Sequence, residues 1–304
     1  MWLKSTTEVS KKQEVSTLNL KGAFTMKRRK AALTACSDPR SPERQEEVSR
    51  LCEVLEAEGL EIVENPDLFL DDVLDERIKA EALNRLFRNP EIEMIFDISG
   101  GDLANSVLPY LDYEAIQKSR ALFFGFSDLT TVLNAIHAKT GKEVVNYQVR
   151  YLLYDHASEQ IPFFREQVLT NRFSPDVLQA HFLRGSRMQG KILGGNIRCF
   201  LKLAGTPYWP DLSGSILLLE SLGGGPKQMI TAVQQYKQMG VFDQVSGILL
   251  GTFSKMEDDQ AVPDMKEIVL RLVPENIPVA ETRFVGHRND ARAVILGREM
   301  EIEG

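Results

Sequence analysis

Four short apolar runs, Lys30–Cys36, Leu60–Glu64, Glu93–Ser99 and Ala121–Phe126, are each followed by a stretch with helical spacing, and this alternation limits the fold more than any other feature. Strand and helix in strict turn define parallel βαβ units, and hence an open, doubly wound sheet. The first helix carries its own signals: Ser41 as N-cap, Pro42 in the first turn, Val48, Leu51, Val54 and Leu55 at helical spacing, and Gly59 at its end. The second covers Asp75–Asn89 and stops at Pro90, a third starts near Ala104 after Gly100–Gly101, and a fourth runs over Asp128–Thr140. Val144–Tyr147 reads as a last strand. Ligands of such sheets gather at the carboxyl ends of the strands. The turn after Ser99 is therefore the first place to look for chemistry.

Past Tyr151 the pattern weakens until about Gln189, and a different rhythm then takes over. Met188–Leu193, Ser213–Glu220, Val245–Gly251, Pro278–Phe284 and Ala293–Gly297 read as strands. Asn196–Leu203, Pro226–Met239 and Met265–Leu272 read as helices. The expected class is α/β: a flavodoxin-like, doubly wound domain over residues 27–150, a linking region over 151–187, and a smaller mixed α/β domain over 188–304. A chain of 304 residues is longer than a single hydrophobic core usually holds. Residues 1–26 are polar and weakly patterned, and are expected to be a flexible extension or the product of a mis-set start, because Met26 opens a basic lead (KRRK) into the first strand. That lead reads as a solvated approach to the strand more readily than as a polyanion signal.

A net charge of −7 gives no support to nucleic acid as a partner. No apolar run approaches the roughly 20 residues that span a bilayer, so no membrane partner is expected. Cys36, Cys52 and Cys199 are scattered and odd in number, as reduced thiols of a cytoplasmic protein would be. The four histidines form no cluster with cysteine or carboxylate, so neither a metal nor a cofactor is expected.

The segment Phe96–Tyr113 passes from a strand through Gly100–Gly101 into a helix. Glycine lets a ligand approach the backbone closely, and the unpaired N–H groups of a helix start suit an oxyanion. Nucleophile elbows share this geometry. A Gly-Gly pair between a strand and a helix is more often simple chain reversal. Similarly, a glutamate closing an apolar strand, as Glu220 does, is usually a solvated charge, and a lone histidine such as His287 is usually structural.

The motifs around these residues recur in order. Val107–Asp112 (VLPYLD) follows the Gly-Gly pair, and Gly125–Thr130 reads GFSDLT. Leu193–Asn196 reads LGGN, Gly205–Asp211 reads GTPYWPD, Gly214–Glu220 closes a strand on glutamate, and Gly286–Asn289 reads GHRN. This ordered set, from about residue 31 to 300, resembles the LD-carboxypeptidase (muramoyltetrapeptide carboxypeptidase) family of serine peptidases and its microcin-C immunity relatives.

The resemblance implies a Ser–Glu–His triad in which His287 is the base and Glu220 orients it. Placing the family's serine three residues after the second glycine puts the nucleophile position on Ala104, which has no hydroxyl. Loss of a triad nucleophile costs on the order of a million-fold in turnover. Backbone N–H groups at Gly101, Asp102 and Asn105 remain as oxyanion donors. Ser106 lies about 200° further round a helix and is expected to face away. Ser127 and Asp128 are expected to cap the helix that follows them, or else to line the pocket with Asn196, itself a candidate N-cap. The loop Ser221–Pro226 departs from the family pattern, so a different substrate selectivity is expected. Two readings follow. One is a hydrolase cleaving an L–D amide in murein-derived or related peptides, expected to be inactive as written because Ala104, engineered or natural, replaces the serine. The other is a natural non-catalytic relative that binds a small peptide-like ligand. The resemblance further implies a homodimer and a pocket between the two domains.

Overall fold

The computed structural model describes residues 28–38, 41–63, 65–69 and 75–304. The extension expected over residues 1–26 lies outside the described residues. The first unit comprises β1 (Arg29–Thr34), α1 (Gln45–Ala57), β2 (Leu60–Val63), α2 (Glu76–Arg88) and β3 (Ile92–Asp97). A 3-10 helix at Ala104–Tyr110 follows, then α3 (Tyr113–Lys118) and β4 (Leu122–Gly125). A 3-10 turn at Ser127–Leu129 runs into α4 (Thr130–Thr140), and β5 (Val144–Asn146) closes the unit. The helix expected from Ala104 is a tight 3-10 segment because Pro109 inside it supplies no N–H for α-helical bonding.

The strands pair in parallel in the order β2-β1-β3-β4-β5, the flavodoxin-like doubly wound arrangement. β3, β4 and β5 are almost wholly buried, as a parallel sheet covered on both faces requires.

The second unit begins with α5 (Ala157–Phe163), β6 (His181–Arg184), β7 (Arg187–Asn196), α6 (Ile197–Leu201) and β8 (Ile216–Ser221). It continues with α7 (Pro226–Gln238), β9 (Gly247–Phe253), α8 (Ser254–Asp258), α9 (Met265–Leu272) and β10 (Val279–Glu281). The chain ends with β11 (Val294–Leu296) and β12 (Glu299–Glu303). The second sheet has the order β12-β7-β8-β9-β10-β6, parallel in its centre and antiparallel at both edges.

Two elements cross the division read from the sequence. β6 lies in the stretch read as a linker, yet it forms an edge of the second sheet. β11 leaves the second unit and pairs antiparallel with β5 of the first sheet. Both are only three or four residues long, too short to show a period beside their neighbours.

α4 fills the space between the sheets. It packs on β4 and β5 of the first and on β7 of the second, and every residue from Thr130 to Ile136 is buried. A helix enclosed on all sides has no need of an apolar stripe. Its polar groups are instead paired across the boundary. Asn134 Nδ2 donates to Gly194 O at 2.9 Å, and Asn134 Oδ1 accepts from Gly194 N at 3.0 Å. Asn134→Ala strands both buried backbone groups and is expected to cost about 2–4 kcal/mol, read as a lowered midpoint in urea unfolding. A loss below about 0.5 kcal/mol would show that this clasp does not hold the sheets together.

Candidate functional site

His287 lies in the loop between β10 and β11 and reaches groups from both sheets. Its Nδ1 is 2.6 Å from Glu220 Oε2, and its Nε2 is 3.0 Å from Ser127 Oγ. Glu220 stands near the end of β8, where the β8–β9 register slips between Leu219 and Ser221. Irregularities of this kind re-aim a side chain. Glu220 is fully buried, so it is not the solvated strand-end charge that a sequence in isolation favours. Its Oε2 is held by the imidazole, while Oε1 has no hydrogen-bond partner among the described residues.

The loop carrying His287 is held by residues from the stretch that shows no pattern in the sequence. Tyr151 Oη donates to Gly286 O at 3.2 Å. Gln160 Nε2 donates to Asn289 O at 3.1 Å and to Ala291 O at 2.8 Å. The Phe126 ring lies 4.5 Å from the imidazole, centroid to centroid, and walls it with apolar surface.

Ser127 follows β4 with φ +59°, a left-handed conformation that costs a residue with a Cβ roughly 1–3 kcal/mol. Non-glycine residues in this region cluster where function requires the side chain aimed in one direction. Here the sharp turn from strand to helix points the hydroxyl at Nε2. The turn after β4 thus shares the strand-to-helix form expected of the turn after β3.

Ala104 is fully buried, does not line the adjoining cavity, and gives its N–H to Asp128 Oδ2 at 2.7 Å. Ser106 donates its hydroxyl to Leu103 O at 2.7 Å. Asp102 N–H is taken by Asp38 Oδ1 at 3.1 Å, and Asn105 is exposed and away from the cavity. Of the three expected backbone donors, only Gly101 lines the cavity with Ser127. A Cβ at Gly101 would collide with the Asp38 carboxylate, and its φ of +130° also demands glycine. Neither Ser127 nor Asp128 caps the following helix through its side chain. Asn196 does cap α6, accepting from Arg198 N and Cys199 N, and it also lines the cavity.

That cavity measures about 740 Å³ and extends from Gly101 and Ser127 along α6, the Ser221–Gly224 loop and the first turns of α7. Ile197, Leu201, Leu222 and Met229 give it apolar walls, and its only charged lining residues are Arg198 and Lys227. The loop that departs from the family pattern is therefore a wall of the cavity.

Residues 31–147 match the LD-carboxypeptidase N-terminal domain, and residues 189–302 match the LD-carboxypeptidase C-terminal domain. The chain belongs to the LD-carboxypeptidase family. It is 25% identical over 299 residues to the microcin C7 self-immunity protein MccF of Escherichia coli, covering 83% of each chain. It is 24% identical over 303 residues to the "probable murein peptide carboxypeptidase" of Bacillus subtilis, covering 91% of this chain and 92% of that one. The fold matches solved MccF with a TM-score of 0.80 at 21% identity, over 90% of this chain and 92% of that one. An MccF-like protein from Streptococcus pneumoniae, solved with AMP, matches with a TM-score of 0.77 at 24% identity, over 91% and 96% of the two chains. MccF itself has been solved with aspartyl sulfamoyl adenosine. Among the described residues no helix is long and apolar enough to cross a membrane.

Cys199 also lines the cavity and brings a thiol to it. Burial first, and the negative charge of Asp128 second, push its thiol up to about 12. A thiol that keeps its proton at neutral pH is a poor nucleophile. Iodoacetamide at pH 7.5 is accordingly expected to leave Cys199 unmodified in the native protein and to react first at half-buried Cys52, as peptide mass spectrometry would show. Faster modification of Cys199 than of Cys52 would refute this.

Proposed function

We propose that the chain is a serine hydrolase that cleaves an amide in a small peptide-like substrate, with Ser127 as nucleophile, His287 as general base and Glu220 as the group that orients the imidazole. The observation that carries this reading is the continuous chain of short contacts from Ser127 Oγ through His287 to Glu220 Oε2. With the Nδ1 proton directed at the carboxylate, Nε2 presents its lone pair to the hydroxyl. His287 takes the serine proton as Oγ bonds to the substrate carbonyl carbon. The C–N bond then breaks, and the imidazolium returns that proton to the leaving amine. Water, deprotonated by the same nitrogen, releases the acyl group and restores Ser127. Oxyanion donors are at hand in the N–H of Gly101 and in that of Asp128, the second residue of the 3-10 segment that Ser127 opens, where N–H groups have no intrahelical acceptor.

The non-catalytic reading rests on the missing hydroxyl at position 104 together with the altered loop after Glu220. A hydroxyl offered by Ser127 answers the first of these, and the second bears on substrate selectivity. The substrate class follows from the family and the cavity. A murein-derived tetrapeptide ending in a D-amino acid is the first candidate. An aminoacyl nucleotide analogue of the kind bound by MccF is the second. A cavity whose charged lining is cationic favours an anionic substrate of either kind.

Incubation with muropeptide tetrapeptide and with an aminoacyl sulfamoyl nucleoside, followed by detection of the released amino acid, tests the assignment. Ser127→Ala and His287→Ala are each expected to lower turnover by roughly 10⁴- to 10⁶-fold, whereas Ser106→Ala keeps it. Turnover that survives Ser127→Ala would falsify the assignment of the nucleophile.

A further inference from the structure

The residue after the serine carries a buried charge that the chemistry above does not use. Asp128 is fully buried. Its Oδ2 accepts from Ser37 Oγ and from Ala104 N, both at 2.7 Å. Its Oδ1 accepts from Lys202 Nζ at 2.6 Å. Lys202 lies just beyond α6, so the ammonium comes from the second unit. The same Nζ donates to Asp102 O at 2.9 Å and lies 3.3 Å from Asp102 Oδ1. Burial opposes its charge, but the hydrogen bond and negative charge of Asp128 outweigh burial and lift the ammonium above the usual lysine value. One cation thus grips both turns of the site: Ser127–Asp128, which holds the hydroxyl, and Gly101–Asp102, which holds a candidate oxyanion donor.

We infer that Lys202 is a positioning residue. By pairing with Asp128 and gripping the Asp102 carbonyl, it fixes the left-handed Ser127 turn at a set distance from the Gly101 turn, so that the hydroxyl and the N–H converge on one carbonyl. This rests on Ser127 being the nucleophile. Lys202 does not line the cavity, so its effect falls on the reacting geometry and not on substrate affinity. A misplacement of about 1 Å at such a site can cost on the order of a hundredfold in rate. A purely structural role is the rival account, in which Lys202 does no more than neutralise a carboxylate that would otherwise be buried unpaired.

The rate of Ser127 labelling by a fluorophosphonate separates the two, measured well below each variant's unfolding midpoint so that folded molecules are compared. Lys202→Met is expected to slow labelling by roughly 10- to 100-fold. In the double variant Lys202→Met/Asp128→Asn the buried charge is gone together with its partner, and the unfolding midpoint recovers relative to the single variant. Labelling in the double variant is expected to stay at least about tenfold slow, with kcat reduced and KM within about threefold on whichever substrate the enzyme turns over. A double variant that labels at the wild-type rate overturns the inference and leaves Lys202 a charge-neutralising residue. So does a Lys202→Met single variant that labels at the wild-type rate. A wild-type protein that takes no label, or takes it equally as Ser127→Ala, overturns instead the nucleophile assignment beneath it.

Discussion

The imidazole of His287 holds one nitrogen against a hydroxyl at the end of the first sheet and the other against a carboxylate at the end of the second. Each contact needs heavy atoms within about 3 Å, so the two sheets must keep a fixed separation to a fraction of an ångström. Much of the architecture serves that constraint. α4 is enclosed between the sheets, and Asn134 satisfies both backbone groups of Gly194 across the gap. β11 returns from the second unit to close the edge of the first sheet. The loop that carries His287 lies in the connection leading into β11, so the strand that joins the sheets also anchors the base.

The conformation of Ser127 shows how such a site is sustained. A left-handed serine is unfavourable in isolation and persists only where surrounding contacts determine it. Its neighbour Asp128 is bonded to the loop after β1, to the start of the 3-10 helix after β3, and to Lys202 beyond α6. The first two lie at the carboxyl ends of the adjacent strands β1 and β3, where an open α/β sheet gathers its ligands. The binding position that topology provides and two of the bonds that hold the strained turn are therefore made by the same connections.

The strand and helix order of the first unit was legible because parallel strands covered on both faces are continuous apolar runs, and because Pro42, Gly59, Pro90 and the Gly-Gly pair mark the breaks. Glu220 and His287 were legible through the motifs that carry them. Ser127, the proposed nucleophile, was not. A Gly-Gly turn advertises its backbone freedom in the sequence, whereas a serine held at positive φ looks like any serine before an aspartate, and helix capping was the natural expectation for Ser127 and Asp128. The turns after β3 and β4 are neighbours in the sheet, and both border the cavity. The supports of the histidine loop were also hidden. Tyr151 and Gln160 act through hydrogen bonds to backbone more than a hundred residues away, and no local period reports a partner at that separation.

Glu220 exposes a further consequence of placing a base between two sheets. A buried carboxylate with one oxygen unpartnered is costly on its own terms. Its attraction for the imidazole grows when His287 becomes charged, because a carboxylate facing an imidazolium across a short hydrogen bond is a stronger pair than one facing a neutral ring. The apolar wall of Phe126 keeps that interaction from being diluted by water. In the proposed reaction the resting site carries a cost that is offset in the charged state formed when Ser127 gives up its proton, and an interaction stronger in that state than in the resting one is what lowers a barrier. The same argument explains why the serine, the histidine and the glutamate are spread over distant parts of the chain: sheet packing, and not local sequence, supplies the enclosure that makes the carboxylate effective.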